Sequence, residues 1–462
     1  MTILLPIEIK DRELHAKIFL AAKIIENSKF DVVIGEKNKV YNLFKHNTNV
    51  YLLSKGGPKL GFRFEKKKFG NNFLGILDEE GPILNLDKHE KNTRLHKNIL
   101  NNINSYFLWG KKDYTSNKRI FRRYKKNLCF YGHPKFDLLK KKNIQFYKKE
   151  INQLKKKYKK FIFVSSSFPV DQVMEKKSFN KFRFHNFEMG QNEKLIKKNF
   201  NKYLDIEKNN YFCLIKLLEK IAINYPDINI VFRPHPRQDI KIVKKRFSKK
   251  IKNLKIIYKD VITPWIAACD LYLHSGCSSF LEAASLEKKI IYFSQSDHEK
   301  KAQMYKDFGQ YFNNIDNCFD FLKKRKINNE FVFNKSKKPH SIIENSNSSK
   351  EFYREFLNYL KENYSNKLFS VKNLYPKKSL FKSKLDKFKI LIKKMILKFS
   401  FLENIIFKFN ASYILSNKYK KKKFPYFKKI EISKYIDRSS KIKGDISIDQ
   451  LSKDLFFLKR NK

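Results

Sequence analysis

The chain has 462 residues, with 101 Lys and Arg against 45 Asp and Glu, which gives a formal net charge of +56. A single hydrophobic core stops growing at roughly 250–300 residues, so this length disfavours one domain and predicts two with a further segment. The excess charge is spread along the whole chain, mostly as Lys, and accompanies abundant Asn, Ile, Phe and Tyr. We interpret most of it as solvated surface that follows from AT-rich coding, and a smaller part as suited to anionic partners.

The cysteines and the N-terminus indicate the compartment. The five cysteines form no CxxC pair and no Cys/His cluster with zinc spacing, and their odd, scattered number predicts no disulfide framework. No basic region precedes the first apolar run, and Glu8 interrupts that run, so we expect no signal peptide. No stretch approaches the ~18 uncharged apolar residues of a membrane-spanning helix. We expect a cytoplasmic protein, soluble or peripheral at the inner membrane.

Short apolar runs alternate with helical patterns in the first third of the chain. Asp11 is suited to cap a helix that continues to about residue 27. The runs predicted as strands are ILLPIE (3–8), FDVVIG (30–35), NVYLLS (49–54), FLGILD (73–78), YFLWG (106–110) and LCFYG (128–132). Strands that alternate with helices imply crossover connections and a parallel sheet covered by helices on both faces. We therefore predict a Rossmann-like domain over 1–137.

A second unit of the same kind follows a lysine-dense segment. Residues 138–160 are only weakly periodic, which predicts an exposed helix or a hinge. A helix is expected at about 206–224. The predicted strands are FIFVSSS (161–167), INIVFRPHP (228–236), LKIIYKD (254–260), DLYLHSG (270–276) and KKIIYFS (288–294). This pattern predicts a second Rossmann-like domain over 161–335, and two doubly wound domains joined by a hinge form a cleft at the carboxyl ends of their strands.

The last part, 366–462, has a different pattern that predicts a basic, amphipathic helical tail. Its apolar residues recur at spacings of four and three, which places them on one stripe of a long, lysine-rich helix. They are Phe381, Leu385, Phe388, Ile392, Met395, Phe399, Leu402, Ile406 and Phe409. Such a stripe either packs on the protein itself or lies on an anionic membrane surface.

Three consecutive acids follow a predicted strand in the motif LDEEG. Asp78, Glu79 and Glu80 thus lie at a strand's carboxyl end, where parallel α/β sheets bind ligands. Adjacent acids and partial burial raise a carboxyl pKa toward the working pH, which suits a general base. A solvated acidic turn is the alternative, although such a cluster is unusual in a chain so poor in acids.

The motif RPHP takes the corresponding place in the second unit. Arg233 and Arg237 are suited to hold a phosphate, and His235 is suited to donate a proton to a leaving phosphate oxygen, while Pro236 and the proline before His235 fix the backbone. A rigid surface turn with an incidental histidine is the alternative. A second His-Pro pair, in GHPKFD (132–137), lies near the hinge, and we interpret it as a structural turn.

The stretch HSGCSSFLEAASL contains a strand end that leads into a helix. The strand stops at Ser275 and Gly276, and Ser278 and Ser279 open the helix, whose free N–H groups and dipole form an anion site. Glu282, one turn into the helix, is suited to accept hydrogen bonds from a ribose or sugar hydroxyl. The alternative is that Ser278 is a helix cap only.

These motifs, in this order, resemble those of bacterial surface carbohydrate biosynthesis proteins, relatives of the GT-B glycosyltransferases. The matching stretches are LPIEIKDRELHAK, LDEEG, YFLWGK, YGHPKFDLL, VFRPHP and HSGCSSFLEAASL, within about residues 3–300. The acidic-Gly motif, the His-Pro pair and the Ser-Ser element are also similar to those of bacterial sialyltransferases and Kdo transferases, which use CMP-activated sugars. The resemblance implies an α/β, GT-B-like fold in which two Rossmann-like doubly wound domains face a cleft.

The resemblance also implies roles for individual residues. Glu79 would be the general base, with Asp78 as a substitute one residue out of register, because LDEEG has three acids where the motif needs two. His235 would be phosphate ligand and acid, and Ser278 and Ser279 would be phosphate ligands. The remaining donor contacts assigned are those of Arg233, Pro236 and Gly276 with the phosphate and of Glu282 with the ribose or sugar.

The resulting hypothesis is an inverting glycosyltransferase of surface polysaccharide biosynthesis. It would use a nucleotide-activated sugar, with CMP-sialic acid or CMP-Kdo favoured, and a glycan or lipid-linked glycan acceptor. No DxD motif stands at a strand end, so no metal or other cofactor is predicted. The His-Pro and Ser arrangement also resembles CDP-glycerol glycerophosphotransferases, which remain an alternative. A non-catalytic basic protein that binds nucleic acid is a further alternative, although the chain carries no recognised nucleic-acid-binding signature.

Overall fold

The computed structural model describes residues 1–56, 71–81, 95, 97–167, 192–236, 238–247, 251–296, 304–327, 330–339, 342, 350–364, 427–440, 442 and 444–461. Its strands are β1 (Thr2–Ile7), β2 (Asp31–Glu36), β3 (Val50–Ser54), β4 (Phe73–Leu77), β5 (Ser105–Leu108), β6 (Leu128–Phe130), β7 (Phe161–Ser166), β8 (Asn229–Arg233), β9 (Leu254–Ile256), β10 (Leu271–Ser275), β11 (Lys289–Phe293), β12 (Gln310–Phe312), β13 (Lys326–Ile327), β14 (Glu330–Phe331), β15 (Ile446–Ser452) and β16 (Leu455–Arg460). Its helices are α1 (Lys10–Asn27), α2 (Lys37–His46), α3 (Lys97–Asn101), α4 (Lys111–Ile120), α5 (Pro134–Asp137), α6 (Lys148–Tyr158), α7 (Glu193–Asn224), α8 (Ile240–Lys245), α9 (Ile262–Ala268), α10 (Phe280–Ser285), α11 (Ile315–Arg325), α12 (Phe352–Tyr364) and α13 (Lys429–Ser439).

The first sheet has eight strands in the order β15-β16-β2-β1-β3-β4-β5-β6. The six strands from β2 to β6 run parallel, and their residues are the six apolar runs predicted above, with small shifts at the ends. Every residue of β1, β3 and β4 is buried. This burial follows from the parallel topology, because the crossover helices cover both faces of the sheet.

Two groups of helices cover the first sheet. On one face, α1, α12 and α13 contribute to a core cluster that includes Ile18, Phe356 and Ile432. On the other face, α2 and α3 contribute Phe44 and Ile99 to a second cluster. The first domain is therefore completed by segments from the C-terminal part of the chain.

The C-terminal hairpin corrects the predicted helical tail over 366–462. β15 and β16 pair antiparallel, and β16 pairs antiparallel with β2, so these strands extend the first sheet. Phe456 and Leu458 alternate into the core, where both are fully buried. The prediction failed here because the choice of a strand partner depends on residues distant in sequence. The apolar stripe from Phe381 to Phe409 lies outside the described residues.

The second sheet has six parallel strands in the order β12-β11-β10-β7-β8-β9. Counted from β7, this is the order 3-2-1-4-5-6 of a dinucleotide-binding Rossmann domain, and it places the topological switch point between β7 and β10. α7 and α11 cover one face and α9 and α10 the other. Helix α7 begins 13 residues earlier than expected from the pattern, at Glu193 rather than at about residue 206. Two Rossmann-like domains are thus present, as predicted.

The segment between the domains, predicted as an exposed helix or hinge, packs on both of them. A 3-10 helix at Ile144–Tyr147 places Phe146 and Tyr147 against Phe19 of α1. Tyr158 at the end of α6 packs against Trp265 of the second domain. Among the described residues, no helix is long and apolar enough to cross a membrane.

Candidate functional site

Two interactions show that the carboxyl ends of the parallel strands in the two sheets face each other. Lys135, which follows β6, forms an ion pair with Glu282, which follows β10. Asp11, which follows β1, lies within electrostatic range of Arg233 at the end of β8. Burial raises the pKa of the Asp11 carboxyl, and the positive charge of Arg233 opposes this shift. The ends of the strands therefore define a cleft, where ligands of open α/β sheets bind.

Glu79 lies buried beside this cleft, at the carboxyl end of β4, between a lysine and a histidine. Its Oε1 is 2.9 Å from Lys17 Nζ, and its Oε2 is 3.3 Å from His133 Nε2. Lys17 comes from α1, Glu79 follows β4, and His133 follows β6. All three side chains are at least 98% buried. The topology of the sheet thus assembles a charged, dry cluster from three distant stretches of sequence.

The cluster keeps Glu79 ionised. Burial alone would raise the pKa of Glu79, but the charge of Lys17 and then the contact with His133 outweigh it and hold that pKa well below its usual range. Burial lowers the pKa of His133, and the negative charge of Glu79 only partly opposes this, so the imidazole is neutral at pH 7. The expectation that neighbouring acids and burial raise the pKa of Glu79 is therefore wrong, because the immediate neighbours are basic.

His133 has a defined tautomer. Its Nδ1 accepts a hydrogen bond from the backbone N–H of Lys135 at 3.1 Å. The ring hydrogen therefore sits on Nε2, which lies 3.3 Å from Glu79 Oε2 in an ion-pair contact rather than a well-aligned hydrogen bond. The interpretation of GHPKFD as a structural turn is incomplete: His133 caps helix α5, as a turn residue does, and it also contacts the predicted catalytic carboxylate.

Asp78 organises the loop that carries Glu79. Its Oδ1 accepts the backbone N–H of Glu80 at 2.9 Å, and its Oδ2 accepts the hydroxyl hydrogen of Tyr106 at 3.2 Å. The indole N–H of Trp109 donates to the Asp78 carbonyl at 2.7 Å. The Trp109 ring also packs against His133, with ring centroids 4.8 Å apart. Asp78 is thus buried in a hydrogen-bonded loop, which suits a structural role better than that of a substitute base.

Glu80, the third acid, belongs to an ion-pair network at the switch point of the first sheet. Arg12 Nη1 lies 3.2 Å from Glu80 Oε1, and Arg12 Nη2 lies 2.9 Å from Glu13 Oε1. Lys55 contacts Glu8 and reaches Glu80 at 3.9 Å. The Glu80 side chain remains half exposed. The three acids of LDEEG therefore have three different environments, which local sequence does not distinguish.

Arg233 and His235 lie at the end of β8. Arg233 is buried, and its guanidinium donates to the carbonyls of Lys259 at 2.7 Å and Asp260 at 2.6 Å. These bonds hold the Arg233 guanidinium at the end of β8 and use two of its five N–H groups. The backbone N–H of His235 donates to the Gln238 side chain at 3.1 Å in a tight turn. Pro236 follows in the same turn, and Arg237 lies outside the described residues.

The serine-rich loop after β10 lies at the switch point of the second sheet. Ser166 ends β7 and Ser275 ends β10, and the two are register partners. Both hydroxyls are buried, and neither has a hydrogen-bond partner within the described ranges. Gly276 follows with φ +76°, a conformation that favours glycine. Among the described serines at this switch point, Ser166 and Ser275 therefore have buried hydroxyls without a partner, and neither was predicted as a phosphate ligand.

The two serines that were assigned to the phosphate differ in orientation. The Ser279 hydroxyl is 2.7 Å from the Tyr272 hydroxyl and 2.9 Å from Cys277 Sγ, inside the domain. These contacts direct the Ser279 hydroxyl into the second domain, and its contact with the phosphate stays a prediction. Ser278 is exposed at the start of α10, as a phosphate ligand or a helix cap requires.

Glu282 is almost completely buried at the domain interface. Its Oε2 accepts the hydroxyl hydrogen of Thr263 at 2.5 Å, and its other oxygen pairs with Lys135. A ribose or sugar hydroxyl would have to compete with these two partners. Within the described parts of the chain, no group of three or more His, Cys, Asp or Glu residues is arranged to hold a metal ion.

The structure therefore brings together some predicted residues and adds others. Glu79 and Asp78 lie on one wall of the cleft, and Arg233 and the serine loop lie on the other. Lys17 and His133 were missed. The His-Pro dipeptide was a usable signal for His133, whereas Lys17 is one of many lysines and carries no local signal.

Comparisons with known proteins give structural neighbours only. No protein-family profile matches the chain, and no curated protein matches it in sequence. The structure of S. aureus MnaA with UDP has 13% identity and a TM-score of 0.49, covering 79% of this chain and 97% of its own. The UDP-GlcNAc 2-epimerase of Neisseria meningitidis bound to UDP-GlcNAc has 11% identity and a TM-score of 0.47, with coverages of 79% and 100%. The wall teichoic acid polymerase TagF has 13% identity and a TM-score of 0.39, with coverages of 70% and 79%.

Proposed function

We propose that this chain is an enzyme that transfers a sugar from a nucleotide-activated donor to an acceptor hydroxyl. The donor binds on the second domain and the acceptor on the first. One observation carries the proposal: the buried hydroxyls of Ser166 and Ser275 lie side by side at the switch point and have no hydrogen-bond partner in the described part of the chain. Buried polar groups are otherwise almost always paired, so these two are suited to a ligand.

A phosphate is the ligand that fits this place best. Phosphate oxygens accept hydrogen bonds from hydroxyl groups, and a dinucleotide-type Rossmann sheet binds phosphates at its switch point. The positive φ of Gly276 lets the backbone turn sharply beside the two serines. Arg233, held by the carbonyls of Lys259 and Asp260, supplies a positive charge at the neighbouring strand end. His235 and Ser278 remain the predicted further ligands of the leaving phosphate.

The acceptor side provides a carboxylate for the proton of the attacking hydroxyl. In the proposed reaction the acceptor oxygen attacks the anomeric carbon, and the bond from that carbon to the donor phosphate breaks. The electron pair leaves with the phosphate, and the hydroxyl proton passes to Glu79. Because its pKa is depressed, Glu79 accepts the proton only late, when the new carbon–oxygen bond has made the hydroxyl strongly acidic. The arrangement therefore depends on charge stabilisation at the phosphate more than on a strong base.

The identity of the donor is part of the proposal. The motif resemblance favours a CMP-sugar such as CMP-sialic acid or CMP-Kdo, and no metal is needed in this scheme because Arg233 and the serine loop stabilise the phosphate. A phosphoalditol donor such as CDP-glycerol would use the same phosphate site. The two kinds of donor differ in the group attached to the phosphate. Titration with defined nucleotides therefore distinguishes them.

Calorimetric titration of the purified chain with CMP, CDP, UDP, CMP-sialic acid and CDP-glycerol tests the proposal. We expect CMP and its sugar to bind, and Ser166→Ala and Ser275→Ala each to weaken binding about 10-fold to 150-fold, the loss of one hydrogen bond to a charged group. Ser447→Ala, on the edge hairpin of the first sheet, is the matched control and should bind as wild type. Binding of CDP-glycerol without CMP-sugar would assign a phosphoalditol donor instead. If nucleic acid binds at physiological salt and no nucleotide binds, the proposal that this chain is an enzyme is overturned.

The proposed acceptor is a glycan or a lipid-linked glycan. For the latter, the basic segment with the stripe from Phe381 to Phe409 would hold the enzyme at an anionic inner-membrane surface. Sedimentation with vesicles that contain anionic lipid, compared with neutral vesicles, measures this association. Equal recovery in the supernatant with both kinds of vesicle would remove the membrane from the proposal.

A further inference from the structure

Lys135 contacts both walls of the cleft. Its backbone N–H donates to His133 Nδ1 at 3.1 Å, on the acceptor side. Its ammonium group forms an ion pair with Glu282 of α10, on the donor side. A single residue thus joins the His133–Glu79 pair to the helix that follows the serine loop.

The contact between the Lys135 N–H and His133 determines which nitrogen of the His133 ring carries the hydrogen. Because Nδ1 of His133 accepts the N–H of Lys135, the ring hydrogen must lie on Nε2, which faces Glu79 at 3.3 Å. His133 caps α5 through this bond, so a shift of α5 would carry the His133 ring with it and change its distance from Glu79. The orientation of Glu79 therefore depends on where α5 lies.

The ion pair between Lys135 and Glu282 fixes the position of α5. Glu282 is 99% buried, and its second oxygen accepts the Thr263 hydroxyl hydrogen at 2.5 Å. Thr263 is in turn hydrogen-bonded to Tyr147, which belongs to the segment between the domains. In a buried setting a lone carboxylate is strongly disfavoured, so Glu282 needs the positive charge of Lys135 when the domains are together. The Lys135 side chain is 22% exposed, which leaves the junction able to open.

We infer that Lys135 is a positioning residue that couples the approach of the two domains to the orientation of the His133–Glu79 pair. Closing the cleft brings Lys135 to Glu282, and in the same position of α5 the capping residue His133 lies 3.3 Å from Glu79. The reactive arrangement of the acceptor wall thus forms only when the donor helix is in place. This inference rests on the proposed function for its effect on catalysis, but the coupling itself is a property of the protein without ligand.

Hydrogen exchange measured by mass spectrometry tests the coupling without any substrate. We expect Lys135→Met to raise exchange in peptides covering 134–137 and 280–285 together, and Glu282→Gln to raise it in the same two peptides. Lys160→Met is the matched control, because Lys160 pairs with Glu330 on the exposed surface of the second domain at 2.6 Å. Lys135→Arg keeps the charge and should restore wild-type exchange. Wild-type exchange at both peptides in Lys135→Met, with circular dichroism confirming a folded variant, would overturn the inference.

The kinetic arm separates a positioning role from a merely structural one. With the donor that titration identifies, Lys135→Met should lower kcat about tenfold or more and change the donor KM little, because alignment rather than binding is lost. Lys135→Arg should recover most of kcat, whereas a packing role would be filled by Met at least as well as by Arg. Equal kcat in Lys135→Met and in the wild type would contradict the inference. Failure to find any donor would remove the proposed function and leave the exchange result standing.

Discussion

Lys17 and Glu79 form an ion pair of 2.9 Å in which both side chains are almost completely buried. The two residues come from different parts of the first domain, since Lys17 lies on α1 and Glu79 follows β4. Their pairing explains why Glu79 carries a full negative charge in a dry place and why its pKa is depressed. The same contact ties the stability of the domain to the predicted catalytic carboxylate.

Replacing Lys17 is expected to destabilise the protein strongly. Lys17→Met leaves the Glu79 carboxylate buried beside a neutral imidazole, and loss of one partner of a buried pair costs about 3–5 kcal/mol in the free energy of unfolding. Urea unfolding followed by circular dichroism measures the change. Lys23→Met is the control on the same helix, because the ion pair of Lys23 with Glu26 lies within that helix and involves no catalytic candidate. The double variant Lys17→Met/Glu79→Gln should recover part of the loss, and equal stability of single and double variants would contradict this account.

Glu79 and His133 are expected to affect rate more than folding. Glu79→Gln removes the proton acceptor but keeps the shape, and should lower the transfer rate about 100-fold or more. His133→Gln should lower it less, because His133 orients Glu79 and takes no proton. Single-turnover assays with the donor found by titration give both rates, and Asp316→Asn on the exposed surface is the control. A near-wild-type rate for Glu79→Gln would exclude Glu79 as the base.

The buried position of Asp137 predicts that the folded protein loses stability as pH rises toward neutrality. Its carboxylate accepts the backbone N–H of Phe352 at 2.7 Å and lies 3.0 Å from Lys140 Nζ, but burial outweighs these contacts and raises its pKa to about 7. A carboxyl pKa above the unfolded value of about 3.9 gives stability that is complete below that value and is lost as pH rises through the folded pKa. The expected slope is about 1.4 kcal/mol per pH unit at most, between pH 4 and 7.

Urea unfolding of wild type and Asp137→Asn from pH 4 to 8 checks this slope. The variant cannot ionise and should show a flatter profile that crosses above wild type at high pH. Asp449→Asn, on the exposed hairpin, should keep the wild-type slope. Glu79 acts in the opposite direction and in a different window, because its depressed pKa removes stability only as pH falls below about 4.3. Parallel profiles for wild type and Asp137→Asn would contradict the assignment.

The C-terminal hairpin is expected to be required for a soluble first domain. Deletion of residues 446–462 would expose the edge of β2, whose central residues, 32–34, are apolar, and such an edge pairs with other chains. We expect aggregation, measured as loss of the monomer peak in size-exclusion chromatography. Leu458→Ala is a milder change at a fully buried position and should cost about 2–5 kcal/mol, against little change for Leu195→Ala at an exposed one. A soluble, monomeric deletion variant would contradict the role of the hairpin.

The sequence by itself determined the two Rossmann-like domains. Apolar runs of strand length, separated by helical patterns, are local signals, and a parallel sheet buries such runs on both faces. The same logic placed Asp78, Glu79, Arg233 and the serine loop at strand ends, because the carboxyl end of a strand is visible in its own sequence. These predictions needed no knowledge of which strands are neighbours.

Only the tertiary structure decided which residues meet. Lys17 is the partner of Glu79 because α1 packs on the sheet face beside the carboxyl end of β4, and His133 joins them because β6 lies two strands from β4. The C-terminal strands join β2 for a similarly non-local reason. The pKa of Glu79 depends on those neighbours, and its shift is opposite in direction to the one expected from adjacent acids. The local pattern therefore predicted where the site residues lie in the fold. Contacts between distant stretches, and the burial they create, determine the charges and pKa values of those residues.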